Sequence, residues 1–233
     1  LNSIQIDDVT LHSGEVLGIA GISGNGQMEL MEILTGQRRL QAGEIRANGT
    51  RYTATRAEAR QHKIRYLPEE PLRNACAPKM SVADNLAFKM FDVGRNGRPA
   101  FWCSRKDMAR NADRLIAEFN VKTTSPDARI ASLSGGNVQR AVLGRELTGE
   151  VNALIISNPC FGLDFGAVSA IRDRIIEARN NGTAVLLISE NLDEIMELSD
   201  RILVMSEGRI AFETTAAAAD LTEIGQHMAG HAA

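Results

Sequence analysis

Residues 15–34 read EVLGIAGISGNGQMELMEIL, and the fold hangs on them. EVLGIA (15–20) is a short, branched apolar run, the pattern of a buried strand. It passes directly into Gly21, Ile22, Ser23, Gly24, Asn25 and Gly26. QMELMEIL (27–34) then carries Met28, Leu30, Met31, Ile33 and Leu34 at helical spacing, and Thr35-Gly36 closes it, glycine being the usual residue past a helix end. The reading is strand, glycine turn, helix. Such a unit turns backbone N–H groups and the positive end of a helix toward an anion. A full phosphate loop reads GxxxxGK[ST]. Gly21 and Gly26 fit that pattern, with Ser23, Gly24 and Asn25 between them. Gln27 stands where the lysine belongs, and Met28 where the Mg²⁺-binding hydroxyl belongs. Taken alone, the unit serves equally well as a turn that holds no ligand.

Outward from this unit, Gly43–Thr53 reads as an antiparallel hairpin with Asn48-Gly49 at its turn, and Ile64–Leu67 as a strand stopped by Pro68. Residues 72–128 change character. Polar helices are expected at Val82–Met90 and Lys106–Phe119, joined by a loop over Asp92–Pro99. The α/β rhythm then returns. Helices are read at Gln139–Leu147, Val168–Arg179 and Leu192–Leu198. Strands are read at Ala153–Ser157, Ala184–Ser189, Arg201–Met205 and Arg209–Glu213. Continuous apolar strands such as ALIIS and AVLLIS, alternating with helices, mark a parallel sheet buried on both faces. The tail from Thr214 reads as weakly helical.

The chain has 233 residues, 26 Lys+Arg against 29 Asp+Glu, and a net charge of −3. That length holds one large domain or two small ones and a sizeable core. An apolar share of 44% and a charged share of 24% argue against disorder, collagen-like repeats and a membrane-embedded chain. Aromatics at 4% and a near-neutral balance give no footprint for nucleic acid. Cys76, Cys103 and Cys160 lack metal or disulfide spacing and read as reduced thiols. His12, His62, His227 and His231 lack ligand spacing too and read as surface or capping residues, so no resident metal cluster is expected. Met28, Met31, Met196 and Met205 read as core fillers. Phe101 and Trp102 read as packing residues of the helical insertion, with contact to a membrane partner as the alternative.

Three further motifs follow the glycine loop. Leu133, Ser134, Gly135, Gly136 and Asn137 open a helix, with Ser134 expected as its N-cap. ISNPCFGLD (156–164) ends a buried strand at Ser157-Asn158 and turns through Asp164. ISEN (188–191) closes the next strand at Glu190. Each alone suits a plain strand end or cap. In order and spacing the set resembles the nucleotide-binding domain of ATP-binding-cassette (ABC) transporters across nearly the whole chain. LSGGN resembles the signature motif, ISNPCFGLD the Walker B strand with its D-loop, RYLPEEP the Q-loop region, and SDRILVMSEGRI the closing strand pair. More narrowly, the chain is similar to the C-terminal half of double-cassette subunits of bacterial sugar and nucleoside importers.

The resemblance implies an α/β fold: a P-loop NTPase-like parallel-sheet core with an antiparallel β subdomain and an α-helical insertion. It divides 1–233 into core (1–71 and 129–213), helical subdomain (72–128) and tail (214–233). It also implies ATP with Mg²⁺ as ligands and a peripheral place on the cytoplasmic face of the membrane. The implied partners are a second cassette, membrane permease subunits contacted through Glu69–Met90, and, indirectly, a periplasmic or lipoprotein substrate-binding protein.

The sequence departs from that family where charge chemistry is done. Besides Gln27 and Met28, Ser157 replaces the Walker B aspartate and Asn158 the glutamate taken as general base. An amide orients water but does not accept its proton, and general-base help is worth about 10²–10⁴-fold. Loss of the lysine alone would weaken binding about 10–100-fold. Glu190 replaces the H-loop histidine and Glu69 the Q-loop glutamine, each adding negative charge near a polyanion. The loop glycines, Ser134-Gly135-Gly136 and Asp164 survive. The chain is read as beginning past the strand that carries the adenine-stacking aromatic. The expectation is a cassette whose own site is degenerate and whose signature completes a partner's site, which leaves its own hydrolysis undecided. The alternative is a non-hydrolysing regulatory or structural nucleotide-binding domain.

Overall fold

The computed structural model describes residues 4–89 and 104–230. In chain order its elements are β1 (Val16–Ala20), α1 (Gln27–Leu34), β2 (Ile45–Ala47), β3 (Thr50–Tyr52), α2 (Arg56–Gln61), β4 (Ile64–Leu67), α3 (Pro71–Asn74), α4 (Val82–Ala87), α5 (Arg105–Glu118), α6 (Gly135–Glu146), β5 (Ala153–Ser157), α7 (Phe165–Asn180), β6 (Ala184–Ser189), α8 (Leu192–Leu198), β7 (Arg201–Ser206), β8 (Arg209–Thr215) and α9 (Leu221–Met228). They fall into two compact units. The first holds residues 1–66, 150–158 and 174–233; the second holds 67–149 and 159–173.

The first unit carries the main sheet, ordered β4-β5-β6-β1-β7-β8. β1 runs parallel to β6 and to β7, and β5 parallel to β6. β8 turns back antiparallel on β7, and β2 with β3 forms a separate hairpin around Asn48-Gly49. This is the mixed α/β sheet that the apolar strand runs imply. β1 and β6 are buried along their whole length, as expected of central parallel strands covered on both faces. On one face Leu17, Ile19, Ile155, Leu186, Ile188, Leu203 and Met205 form a cluster with Met31 of α1. On the other face α8 packs on β1 and β6. α1, β4, β5, β6 and α8 keep the bounds read from the sequence, and other element boundaries move by up to four residues. α6 starts at Gly135, directly after the expected N-cap Ser134 and ahead of the Gln139 start read for its apolar run, and α7 starts earlier than read because Asp164 caps it.

At the base of β1, Glu15 meets Arg201 of β7 at 2.8 Å, and Arg201 also holds Glu213 of β8 at 2.8 Å. Burial alone would raise the Glu15 carboxyl. Hydrogen bonds from Arg201 and the His12 N–H, with the Arg201 charge, outweigh it and hold the carboxyl below its ordinary 4.5. A depressed carboxyl contributes stability that is present above the unfolded value and is lost as pH falls through the folded one. The urea midpoint of Glu15→Gln is therefore expected to lie below that of the parent at pH 7. The gap should close as pH drops below 4.5; a gap constant with pH would contradict this.

The second unit is helical. Ser81 caps α4 in a capping box with Asp84, and α4 packs on α5 and α6. Ala112 and Leu115 of α5 and Val138, Ala141, Val142 and Leu143 of α6 fill its centre. The expected helices of the insertion are present as α4 and α5. The loop expected over 92–99, with Phe101, Trp102 and Cys103, lies outside the described residues. α2 and α3 were not anticipated. α2 is a polar turn held by a Thr55/Glu58 capping box, which leaves no apolar periodicity to read. No described helix is long and apolar enough to cross a membrane.

Candidate functional site

In the first unit, β5, β6 and β1 are neighbours that end together, with Ala20 opposite Ser189 and Ser157 opposite Ile188. The glycine loop, Ser157-Asn158 and Glu190 therefore meet at the carboxyl ends of parallel strands, where α/β sheets hold ligands.

The loop between β1 and α1 turns through two left-handed glycines. Gly24 and Gly26 take φ of 91° and 109°, values suited to glycine. Its interior is filled by Gln27. That side chain is 7% exposed, and its Nε2 donates to the Ile22 carbonyl at 3.2 Å. A Cβ on Gly21 would lie 2.1 Å from Gln27 Nε2 and 2.8 Å from the Met205 carbonyl oxygen. Gln27 thus braces the loop from inside, as a neutral group. Asn25 ties the loop outward. Its N–H bonds Ile22, its Oδ1 accepts the Glu207 N–H, and its Nδ2 donates to the Met228 carbonyl. Ile22 and Met28 are 51% and 61% exposed. Met28 is not the core filler the sequence suggested. It sits in the first turn of α1 and points out at the loop mouth, whereas Met31 and Met205 are buried.

Ser157 ends β5 and is buried. Asn158 has φ 41°, a conformation asparagine tolerates better than glutamate. Its N–H bonds the Ile188 carbonyl, and its Oδ1 accepts the Glu190 N–H at 3.0 Å. The Asn158 carboxamide therefore joins two strand ends, and Glu190 itself is exposed. Beneath this turn lies a group the sequence reading missed. Glu194 is 2% exposed and accepts from Ser189 Oγ at 2.7 Å, while its Oε1 has no hydrogen bond among the described residues. The N-cap Asn191 three residues earlier was the available signal.

This donor set does not fit Mg²⁺. The ion takes hard oxygen ligands, carboxylates above all. Here the two usual positions hold an exposed thioether and a buried hydroxyl. The glycine backbone suits phosphate oxygens in shape, but no lysine supplies charge within the loop.

In the second unit Ser134-Gly135-Gly136 opens α6, and Gly136 is buried. Ser134 occupies the N-cap position but makes no side-chain cap bond to the helix. Its Oγ instead accepts from Asn137 Nδ2 at 2.9 Å. Leu133 ends a short 3-10 turn over Ile130–Ser132. Asp164 caps α7 through the Ala167 N–H at 3.0 Å. A Cβ on Gly136 would meet Ala167 Cβ at 2.9 Å and Asp164 Oδ2 at 3.7 Å, so signature and D-loop residues share one corner. Gln139, buried, locks that corner by donating to the Pro159 carbonyl at 2.8 Å. Glu69 belongs to this unit too, where its carbonyl accepts from Asn74 Nδ2.

Comparison with known proteins agrees with this architecture. The family model described as ABC transporter matches residues 4–160. The chain is 40% identical over 226 residues to the glucose import ATP-binding protein TsgD13 of Haloferax volcanii, covering 96% of this chain and 41% of that protein. It is 35% identical to the nucleoside import ATP-binding protein NupA of Lactococcus lactis, covering 98% and 46%. It is 36% identical to the ribose import ATP-binding protein RbsA of Clostridium perfringens, covering 88% and 40%. The chain thus spans less than half the length of these relatives. Among solved structures, the ATP binding subunit of an ABC transporter superposes with TM-score 0.75 at 22% identity, covering 95% of this chain and 90% of that one. A dimeric ATP-binding cassette bound to ADP and Pi gives 0.73 at 19%, covering 89% and 88%. With the family model matching residues 4–160 and relatives 35–40% identical over nearly the whole chain, the chain belongs to the ABC transporter family.

Proposed function

We propose that this chain is an ATP-binding cassette of an importer for simple sugars or nucleosides. Its own phosphate loop has lost its charge chemistry, and its signature helix serves a second cassette. The observation that carries the proposal is the contrast between the two units. In one, a neutral, buried Gln27 braces the loop, Asn158 Oδ1 is engaged by the Glu190 N–H, and Met28 and Ser157 stand where the Mg²⁺-binding hydroxyl and carboxylate would be. In the other, the Ser134-Gly135-Gly136 corner keeps a hydroxyl and helix N–H donors. The import functions named for the relatives support the transport reading. The relatives' extra length supports a second cassette in the same polypeptide. Permease subunits in the membrane would then be docked by the second unit, with a substrate-binding protein acting through them. The chain would sit peripherally on the cytoplasmic face. The division into core, helical subdomain (72–128) and tail (214–233) belongs to the same proposal.

In this reading ATP and Mg²⁺ are held chiefly by the companion. Ser134 Oγ–H and the N–H groups that open α6 orient the terminal phosphate across the interface. Donors fixed in advance cost no reorganisation as charge develops there. No acid–base step is assigned to Asn158, which cannot take a proton at neutral pH.

Calorimetric titration of MgATP into this chain, beside Gln27→Lys/Met28→Thr, tests the loss of charge chemistry. The parent is expected to bind in the millimolar range or not at all, and the double variant about 10–100-fold more tightly. Micromolar binding by the parent would favour a retained nucleotide holder and overturn the reading.

A further inference from the structure

We infer that Asn137 is a positioning residue, holding Ser134 in the orientation that meets a phosphate on the companion cassette. The inference rests on the signature reading above. A serine at the N-cap ordinarily turns its oxygen back onto the second or third helical N–H. In that state it would cover the donors an incoming anion needs. Ser134 does not do so. The Asn137 and Val138 N–H groups bond the Ser134 backbone carbonyl, each at 3.0 Å. The Ser134 oxygen is instead taken by Asn137 Nδ2 at 2.9 Å.

The orientation of the Asn137 carboxamide is dictated by a third group. The Lys122 N–H points at it from 2.7 Å, and only the carbonyl oxygen of an amide accepts. Oδ1 therefore faces Lys122, and Nδ2 must face Ser134. The anchor is firm. Lys122 follows Val121, which is 5% exposed and bonded to the Ile116 carbonyl at the end of α5. With Nδ2 donating into Ser134 Oγ, the serine proton has no role toward Asn137. It stays free to turn to an acceptor arriving from solvent, since Ser134 and Gly135 are both exposed. Asn137 thus does two things at once. It keeps the serine oxygen off the helix's own N–H groups, and it leaves the hydroxyl proton for a terminal phosphate oxygen.

The test is a double-mutant cycle in the complete transport complex, with companion cassette and permease, reading steady-state ATP hydrolysis. Ser134→Ala and Asn137→Ala are each expected to lower kcat by about tenfold or more, with KM for ATP little changed. Ser134→Ala/Asn137→Ala should be no worse than Ser134→Ala alone, because Asn137 acts through Ser134. Asn137→Asp guards against a folding defect. It still accepts the Lys122 N–H but cannot donate to Ser134, and it should also lose its effect in the Ser134→Ala background. Losses that multiply in the double variants would make Asn137 a structural residue and overturn the inference. So would full activity of Asn137→Ala or Asn137→Asp beside an impaired Ser134→Ala. Full activity of Ser134→Ala would instead overturn the signature reading itself, and this inference with it.

Discussion

Arg145→Met is expected to destabilise the protein by about 3–5 kcal/mol, the range for leaving one partner of a buried ion pair alone. Arg145 is 5% exposed and Glu146 is fully buried. Arg145 Nε meets Glu146 Oε1 at 2.9 Å. Its Nη1 also donates to the Ala75 and Asn85 carbonyls at 2.8 and 3.2 Å, and its guanidinium lies over the Phe88 ring. Methionine would fill the stem volume but take the Arg145 donor from the Ala75 carbonyl, leave the Asn85 carbonyl with its longer 3.4 Å bond from the Phe88 N–H, and leave Glu146 facing Lys89, 3.5 Å away at the solvent edge. Asn85, 1% exposed, extends the network by pairing with both backbone groups of Ala77. Urea unfolding of Arg145→Met and of Arg145→Met/Glu146→Leu checks the assignment. The double variant should recover a good part of the loss, because no unpaired charge stays buried. A double variant less stable than the single would contradict it. Cys76 adjoins this cluster. Burial, opposed by the Arg145 charge and reinforced by that of Glu146, pushes its thiol up to about 11, so it should remain unreactive at neutral pH.

Gly136→Val is expected to lower ATP hydrolysis by the complete transporter about 10²–10³-fold, the scale for losing a preorganised donor to a developing oxyanion. The reason is steric and local. A Cβ at 136 already falls 2.9 Å from Ala167 Cβ, so a branched side chain must push the opening of α6 away from α7. That would move Ser134 and the helix N–H groups together. Gly135→Ala is the internal control. Its Cβ would meet Leu163 Cδ2 at an ordinary 3.8 Å, and it should cost far less. Equal losses at 135 and 136 would mean that close approach of the ligand, rather than helix placement, decides the effect.

Most of the sheet was legible because buried parallel strands are continuous apolar runs. ALIIS and AVLLIS could hardly be anything else in an α/β rhythm. The glycine loop and the signature were legible as motifs, and the missing lysine was legible as an absence. What the sequence could not show was where the replacing groups go. Gln27 reads as a lost cation, yet it folds into the loop as its brace. Met28 has the composition of a core residue but lies at the end of a helix facing outward, and helical periodicity carries no information about that end. Ser134 has N-cap chemistry, yet a side chain one helical turn later competes for its oxygen. The Arg145–Glu146 pair reads as two ordinary helical charges. Its burial is a tertiary fact, set by the elements that surround α6.

The most direct test of the central claim sets the two units of this chain against each other within one complete transporter. Gln27→Ala strikes only the loop, and Gly136→Val strikes only the signature corner. If this chain's role is to complete a companion's site, hydrolysis and uptake should fall by less than about twofold for Gln27→Ala and by about 10²–10³-fold for Gly136→Val. The reverse order, with Gln27→Ala severe and Gly136→Val mild, would place the working nucleotide on this chain's own loop and contradict the account.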